Sequence, residues 1–133
     1  MNTNLADQGQ RKGAASLTPF GVKTREIRKE KGILLLDMAR LAKVTSGFLS
    51  MVETGRKAIP EDLVGKIVSG LNLGHREANE LQNAAKLSAR EYRVKLKENA
   101  DPIDRRLAFA IQEQFAKMTP MKKQKILDLL EEE

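Results

Sequence analysis

The sequence predicts an all-α protein, and three observations carry that expectation. Apolar residues recur at helical spacing, in Leu63, Val64, Ile67, Val68 and Leu71 and again in Ile103, Leu107, Ile111, Phe115 and Met118. A capping residue stands directly before a proline three times, at Thr18-Pro19, Asp101-Pro102 and Thr119-Pro120. Strand-like alternation is confined to one short run, from Tyr92 to Leu96.

The elements follow in chain order. Residues 1–17 hold Gly, Ser, Asn and Gln without an apolar pattern and read as a flexible N-terminal arm. Thr18-Pro19 opens a first helix that runs to about Lys31, with Gly32 as its left-handed stop. Phe20 and Ile27 face inward, and Lys23, Arg25, Arg28, Lys29 and Lys31 are placed on the outer face. A short second helix covers about Leu35 to Ala42. After a turn at Lys43-Val44, Thr45 caps a third helix over about Ser46 to Glu53, which Thr54-Gly55 ends. Pro60-Glu61-Asp62 is expected to start a fourth, with two carboxylates near its positive end. A fifth, about His75 to Leu87, buries Ala78, Leu81 and Ala85.

Tyr92, Val94 and Leu96 then alternate with Arg93, Lys95 and Lys97, the period of a short strand with one buried face. A lone strand lacks partners for its backbone, so the expected partner is the same strand from a second copy across a two-fold axis. The competing readings are a helix continuing from Leu87 and an extended linker. Asp101-Pro102 starts another helix to about Lys117. Thr119-Pro120 starts the last, whose Lys122 and Lys123 at the front and Glu131 to Glu133 at the end oppose the helix dipole. Such a helix frays alone, so packing against its predecessor or a second subunit is expected to hold it. This gives three regions: the arm, 1–17; a domain, 18–88; and an assembly region, 89–133.

Composition excludes whole classes of function. The 133 residues include no cysteine and a single histidine, so disulfides, thiolate chemistry and His-rich metal sites are not expected. With no glycine-rich phosphate loop and no evident pair of catalytic carboxylates, the chain reads as neither an enzyme nor a cofactor carrier. His75 reads as a surface residue. The longest apolar run is five residues, Leu107 to Ile111, and the first residues lack a signal-peptide core, so no membrane association and a cytoplasmic location are expected. Aromatic residues are too sparse, at 4%, for a platform that stacks single strands. The balance of 24 basic against 18 acidic residues points to a polyanion. Residues 1–31 carry seven basic and three acidic side chains, against six and seven in 101–133, so the basic excess lies in the front.

Helices two and three are joined by three or four residues, with small apolar positions at Ala39, Val44, Leu49 and Val52. That spacing lets two short helices cross steeply, and the second then projects as a ridge of a size that enters the DNA major groove. Residues 18–73 resemble the lambda-repressor-like, Xre/Cro family of helix-turn-helix regulators. The likeness rests on Arg25, Ile27, Arg28, Gly32, Ala39, Val44, Thr45, Leu49, Ser50, Val52, Glu53, Gly55, Arg56, Pro60, Leu63, Ile67 and Leu71, and above all on the run TSGFLSMVETGRKAIP. The resemblance implies a five-helix DNA-binding domain, followed here by the short β-strand and two C-terminal helices.

By position, the resemblance implies that Thr45 caps the recognition helix and reaches phosphate. Ser46, Gly47, Ser50 and Met51 meet base edges, and Arg56 and Lys57 grip the sugar-phosphate backbone. Arg28 and Glu53 pair internally. The family's usual turn glycine is Lys43 here, expected at positive φ and within reach of a phosphate. Its usual Gln at the start of helix two is Leu35, which removes a phosphate contact. Ser and Met read bases sparingly, so DNA shape and the arm residues Arg11 and Lys12 are expected to add to readout. Against these stand plainer readings, with Arg56 and Lys57 as a solvated loop, Met51 as core, and Arg11 and Lys12 as tail.

The expected function is a sequence-specific double-stranded DNA-binding transcription regulator, a repressor acting as a homodimer on a partly palindromic operator. It would be associated with the bacterial nucleoid when DNA-bound. Tyr92, Val94 and Leu96 are the candidate dimerisation residues, with the last two helices as the other candidate surface. The alternative is an antitoxin-type regulator whose C-terminal region binds a partner protein.

Overall fold

A computed structural model describes residues 17–132, and every described element is helical. The chain divides into two compact units, residues 1–91 and 92–133. The first holds α1 (Pro19–Lys31), α2 (Leu35–Leu41), α3 (Ser46–Glu53), α4 (Leu63–Leu71) and α5 (His75–Leu87). The second holds α6 (Pro102–Gln114), a 3-10 turn (Phe115–Lys117) and α7 (Pro120–Glu131).

Local chemistry sets most of the ends. The Thr18 hydroxyl accepts from the Gly21 amide at 3.1 Å, and Thr45 and Thr119 do the same for Phe48 and Lys122. Gly32 closes α1 at φ 66°. At α2 the cap works in reverse, with the Leu34 amide donating to Asp37 at 2.8 Å. The fourth helix begins later than its proline suggests. Pro60 to Asp62 form a turn in which the Leu63 amide donates to the Pro60 carbonyl, and the helix starts at Leu63. The carboxylates of Glu61 and Asp62 thus lie outside it.

In the first unit α1 packs on α3 and α5, α2 on α3 and α4, and α4 on α5. Phe20, Ile27, Met38, Leu49, Val52, Leu63, Ile67 and Leu81 are buried at their shared centre. Each such side chain removed from water contributes about 1.5–3 kcal/mol, enough together to hold five short helices. Ala78 and Ala85 are only half-buried. At the rim Lys23 bridges Glu26 and Glu80, each at 2.7 Å, and so joins α1 to α5. Its hydrogen bonds to Glu26 and then Glu80 push its pKa up to about 12. This bridge contributes fully below the ordinary lysine value of 10.5 and fades as pH rises toward about 12.

Helix α1 touches α3 at one tight point. The Glu53 carbonyl, left without a partner at the end of α3, accepts from the Thr18 amide and the Thr18 hydroxyl, both at 3.0 Å. A Cβ on Gly21 would collide with that carbonyl oxygen and press on Leu17. Gly21→Ala should therefore lower stability in urea unfolding by about 1–3 kcal/mol through overpacking, although alanine is the better helix former. An unchanged or raised midpoint would show that α1 and α3 can move apart freely.

The second unit is built differently. None of its described residues is buried. The strand expected through Tyr92, Val94 and Leu96 does not form, and residues 91–97 carry no regular secondary structure. A strand exists only as part of a ladder with a second strand, and no strand is found among the described residues. Instead the segment lies beside α6, sharing an open groove of about 640 Å³ with Arg105, Ala108 and Phe109. Helix α6 begins with Asp104 accepting from the Asp101 amide. Its apolar stripe is uncovered, with Ile103 61% and Leu107 58% exposed.

Candidate nucleic-acid interface

Helix α3 has two unlike faces. Leu49, Val52 and Glu53 are buried on one side, and Phe48 packs at the edge of the core. Thr45, Gly47 and Ser50 are exposed on the other, with Ser46 and Met51 half-exposed. The three smallest groups, Ser46, Gly47 and Ser50, leave no bulky side chain over the first turns. A Cβ on Gly47 would meet nothing within 4 Å. A flat surface could therefore approach this stretch of backbone closely.

Exposed cations stand in the chain before and after this helix. Before it stands Lys43, in the four-residue connection between α2 and α3, held at φ 59°. The left-handed conformation costs a non-glycine residue about 1–2 kcal/mol, which the surrounding turn must hold against. The Val44 and Lys43 amides do so by donating to Ala39 and Arg40 carbonyls. After the helix come Arg56 and Lys57. Their amides both donate to the Met51 carbonyl, at 2.8 and 3.2 Å, in a turn made possible by Gly55 at φ 79°. The backbone of this loop is thus fixed while both side chains are exposed. Among the described residues none of the three cations forms an ion pair.

The helix is held from behind by charge as well as by packing. Glu53 is buried, and Arg28 reaches it with two bonds, Nη1 to Oε2 at 2.6 Å and Nη2 to Oε1 at 3.1 Å. The single Thr24 hydroxyl proton has two acceptors in reach, Oε2 at 2.7 Å and the Gly21 carbonyl at 3.1 Å. The Met38 sulfur accepts from Arg28 at 3.4 Å. Arg28 therefore does not belong to the outer face of α1, where the helical spacing puts it. Thr24 and Gly21 complete this cluster and have no local sequence signal, since a threonine and a glycine inside an amphipathic helix look like ordinary filler.

Thr45, Gly47 and Ser50 are thus exposed and Ser46 and Met51 half-exposed along α3, the exposed Lys43 precedes the helix and the exposed Arg56 and Lys57 follow it, and Glu53 is buried with Arg28. Tyr92, Val94 and Leu96 lie in the other unit. Arg11 and Lys12 fall outside the described residues. His75 is exposed at the start of α5 beside Arg76 and Glu77. Among the described residues, no group of His, Cys, Asp or Glu is arranged to hold a metal ion, and no helix is long and apolar enough to cross a membrane.

Lys43→Gly separates strain from binding. Relief of the left-handed backbone should leave stability unchanged or raise it by up to about 1 kcal/mol. Affinity for any duplex DNA should fall, with the salt slope reduced by about one per copy. Stability and affinity falling together would mean that Lys43 acts through the fold.

No family model, curated protein or solved structure matches the chain, so the likeness to Xre/Cro regulators rests on its own residues.

Proposed function

We propose that the chain is a sequence-specific DNA-binding transcription regulator of the lambda-repressor-like, Xre/Cro type, acting in the cytoplasm as a homodimer and repressing by occlusion of a promoter. Residues 18–88 are its DNA-binding domain and α3 its recognition helix. The observation that carries this reading is the exposed side of α3, small and polar, with three exposed cations in the turns before and after the helix and a buried ion pair behind it. Lys43, Arg56 and Lys57 contact phosphates and set position. Ser46 and Ser50 bond base edges of either type, Met51 touches a thymine methyl, and Gly47 lets the helix sit deep. Two copies read half-sites one helical turn apart, about 34 Å.

Selection of bound sequences from random duplex DNA tests the proposal directly. The expected result is an enriched motif with two-fold symmetry and half-sites about 10 base pairs apart. No enrichment over the starting pool would overturn it. An antitoxin-type role, in which the second unit holds a partner protein, draws support from the exposed apolar side chains of that unit.

A further inference from the structure

Helix α7 is built as if half of its environment were missing. Its first turns carry Lys122, Lys123 and Lys125, and its last carry Asp128, Glu131 and Glu132. Cations thus sit at the positive end of the helix dipole and carboxylates at the negative end, the unfavourable arrangement at both. Leu127, Leu129 and Leu130 are 45%, 67% and 73% exposed. Together with Ile126, Leu127 and Leu130 line an apolar groove of about 330 Å³ whose far wall is Ile111, Phe115 and Met118. Lys123 extends over the Phe115 ring, 4.4 Å from its centre, so its stem belongs to the same apolar surface.

The unit around it cannot supply the missing half. Residues 92–132 bury no side chain, while eleven large apolar residues among them are exposed. A segment of this size does not form a stable core alone and needs a further apolar surface to complete it. The charge pattern says which. Side by side and antiparallel, two copies of α7 set the lysine half of each against the carboxylate half of the other. Each dipole end also lies against its opposite. In a parallel pair, like charges would stack along the whole length. A self-complementary patch of this kind is what a two-fold interface requires.

We infer that α7 of one copy pairs antiparallel with α7 of a second copy through Ile126, Leu127 and Leu130, completing the second unit. This deepens the two-copy arrangement proposed above and rests on that reading for its use, but the association is measured without DNA. It also moves the interface from Tyr92, Val94 and Leu96 to the last helix.

Light scattering on the full chain at tens of micromolar should give twice the 14.9 kDa chain mass. In Leu127→Asp/Leu130→Asp the dissociation constant should rise at least about 100-fold, with the thermal transition of the first unit retained as evidence of folding. Orientation is read by cross-linking, which the absence of native cysteine makes clean. Lys123→Cys and Leu130→Cys chains, mixed and oxidised, should form the mixed disulfide in excess over either like pair, because both positions line the same face as Ile126 and Leu127 and stand opposite each other in the antiparallel pair. Three outcomes would overturn the inference: a monomer, which would leave the apolar face to a different protein; a dimer untouched by the two Asp substitutions; or a predominance of like-with-like disulfides. None depends on whether the chain finds an operator.

Discussion

Glu53→Gln should be among the most damaging single changes in the chain, although the new side chain has nearly the same shape. Arg28 would keep its charge in a site where its side chain is only 10% exposed, facing a neutral amide in place of a carboxylate. Removing one partner of a buried pair costs about 3–5 kcal/mol, because the other charge is left without compensation. For a domain of this size that is a fall of at least about 12 °C in thermal midpoint. The double change Arg28→Met/Glu53→Leu removes both charges and keeps the volume. It should recover at least half of the loss. Thr24 would still have the Gly21 carbonyl as acceptor, so no orphaned hydroxyl offsets the recovery. A midpoint shift under about 2 °C in Glu53→Gln would show the pair to be solvated and incidental. The double change has a second use. It should fold yet bind DNA more weakly than the native chain if the pair's role is to fix the aim of α3.

What the sequence makes legible here follows the range of the physics. Caps are local, and Thr18, Thr45 and Thr119 act on amides three residues ahead. Lys43 at positive φ is legible through the resemblance alone, which has a glycine at that turn. The start of α4 misleads: proline suits a first helical position, yet it equally suits the turn that Pro60 forms. Beyond this range the signal weakens. The spacing of α1 gives one face to Phe20 and Ile27 and assigns Arg28 to solvent, because periodicity does not reveal that Glu53 lies across the core. Thr24 and Gly21 are invisible for that reason. The alternation from Tyr92 to Leu96 is a true pattern, yet the described residues 91–97 have no regular secondary structure. The stripe of α6 is likewise a face that the described residues cover only in part, with Ile103 and Leu107 left exposed. A sequence specifies which surfaces are apolar, and only a second surface decides whether they are buried.

Raising salt should weaken binding of the selected DNA steeply, and by an amount the geometry fixes. Lys43, Arg56 and Lys57 are exposed cations before and after α3, so in the proposed two-copy complex six would meet phosphates. The slope of log affinity against log salt is about −0.9 per phosphate neutralised, here about −5. Affinity should then fall roughly 10³-fold between about 50 and 200 mM salt. Arg56→Ala removes one contact from each copy and should make the slope shallower by about two. Its effect should be nearly equal on all duplex sequences. Ser50→Ala should leave the slope unchanged and alter the ranking of sites, since a hydroxyl at a base edge carries sequence information and releases no counterion. The contrast matters more than either size. Phosphate and base contacts differ in what they displace, ions in one case and ordered hydrogen bonds in the other. If both substitutions changed the slope alike, the loop after α3 and the face of α3 would not have separate roles, and the recognition helix would have to be sought on another element. A slope near zero for the native chain would go further. It would mean that the exposed cations meet no phosphate, and that the small polar face of α3 serves a neutral surface.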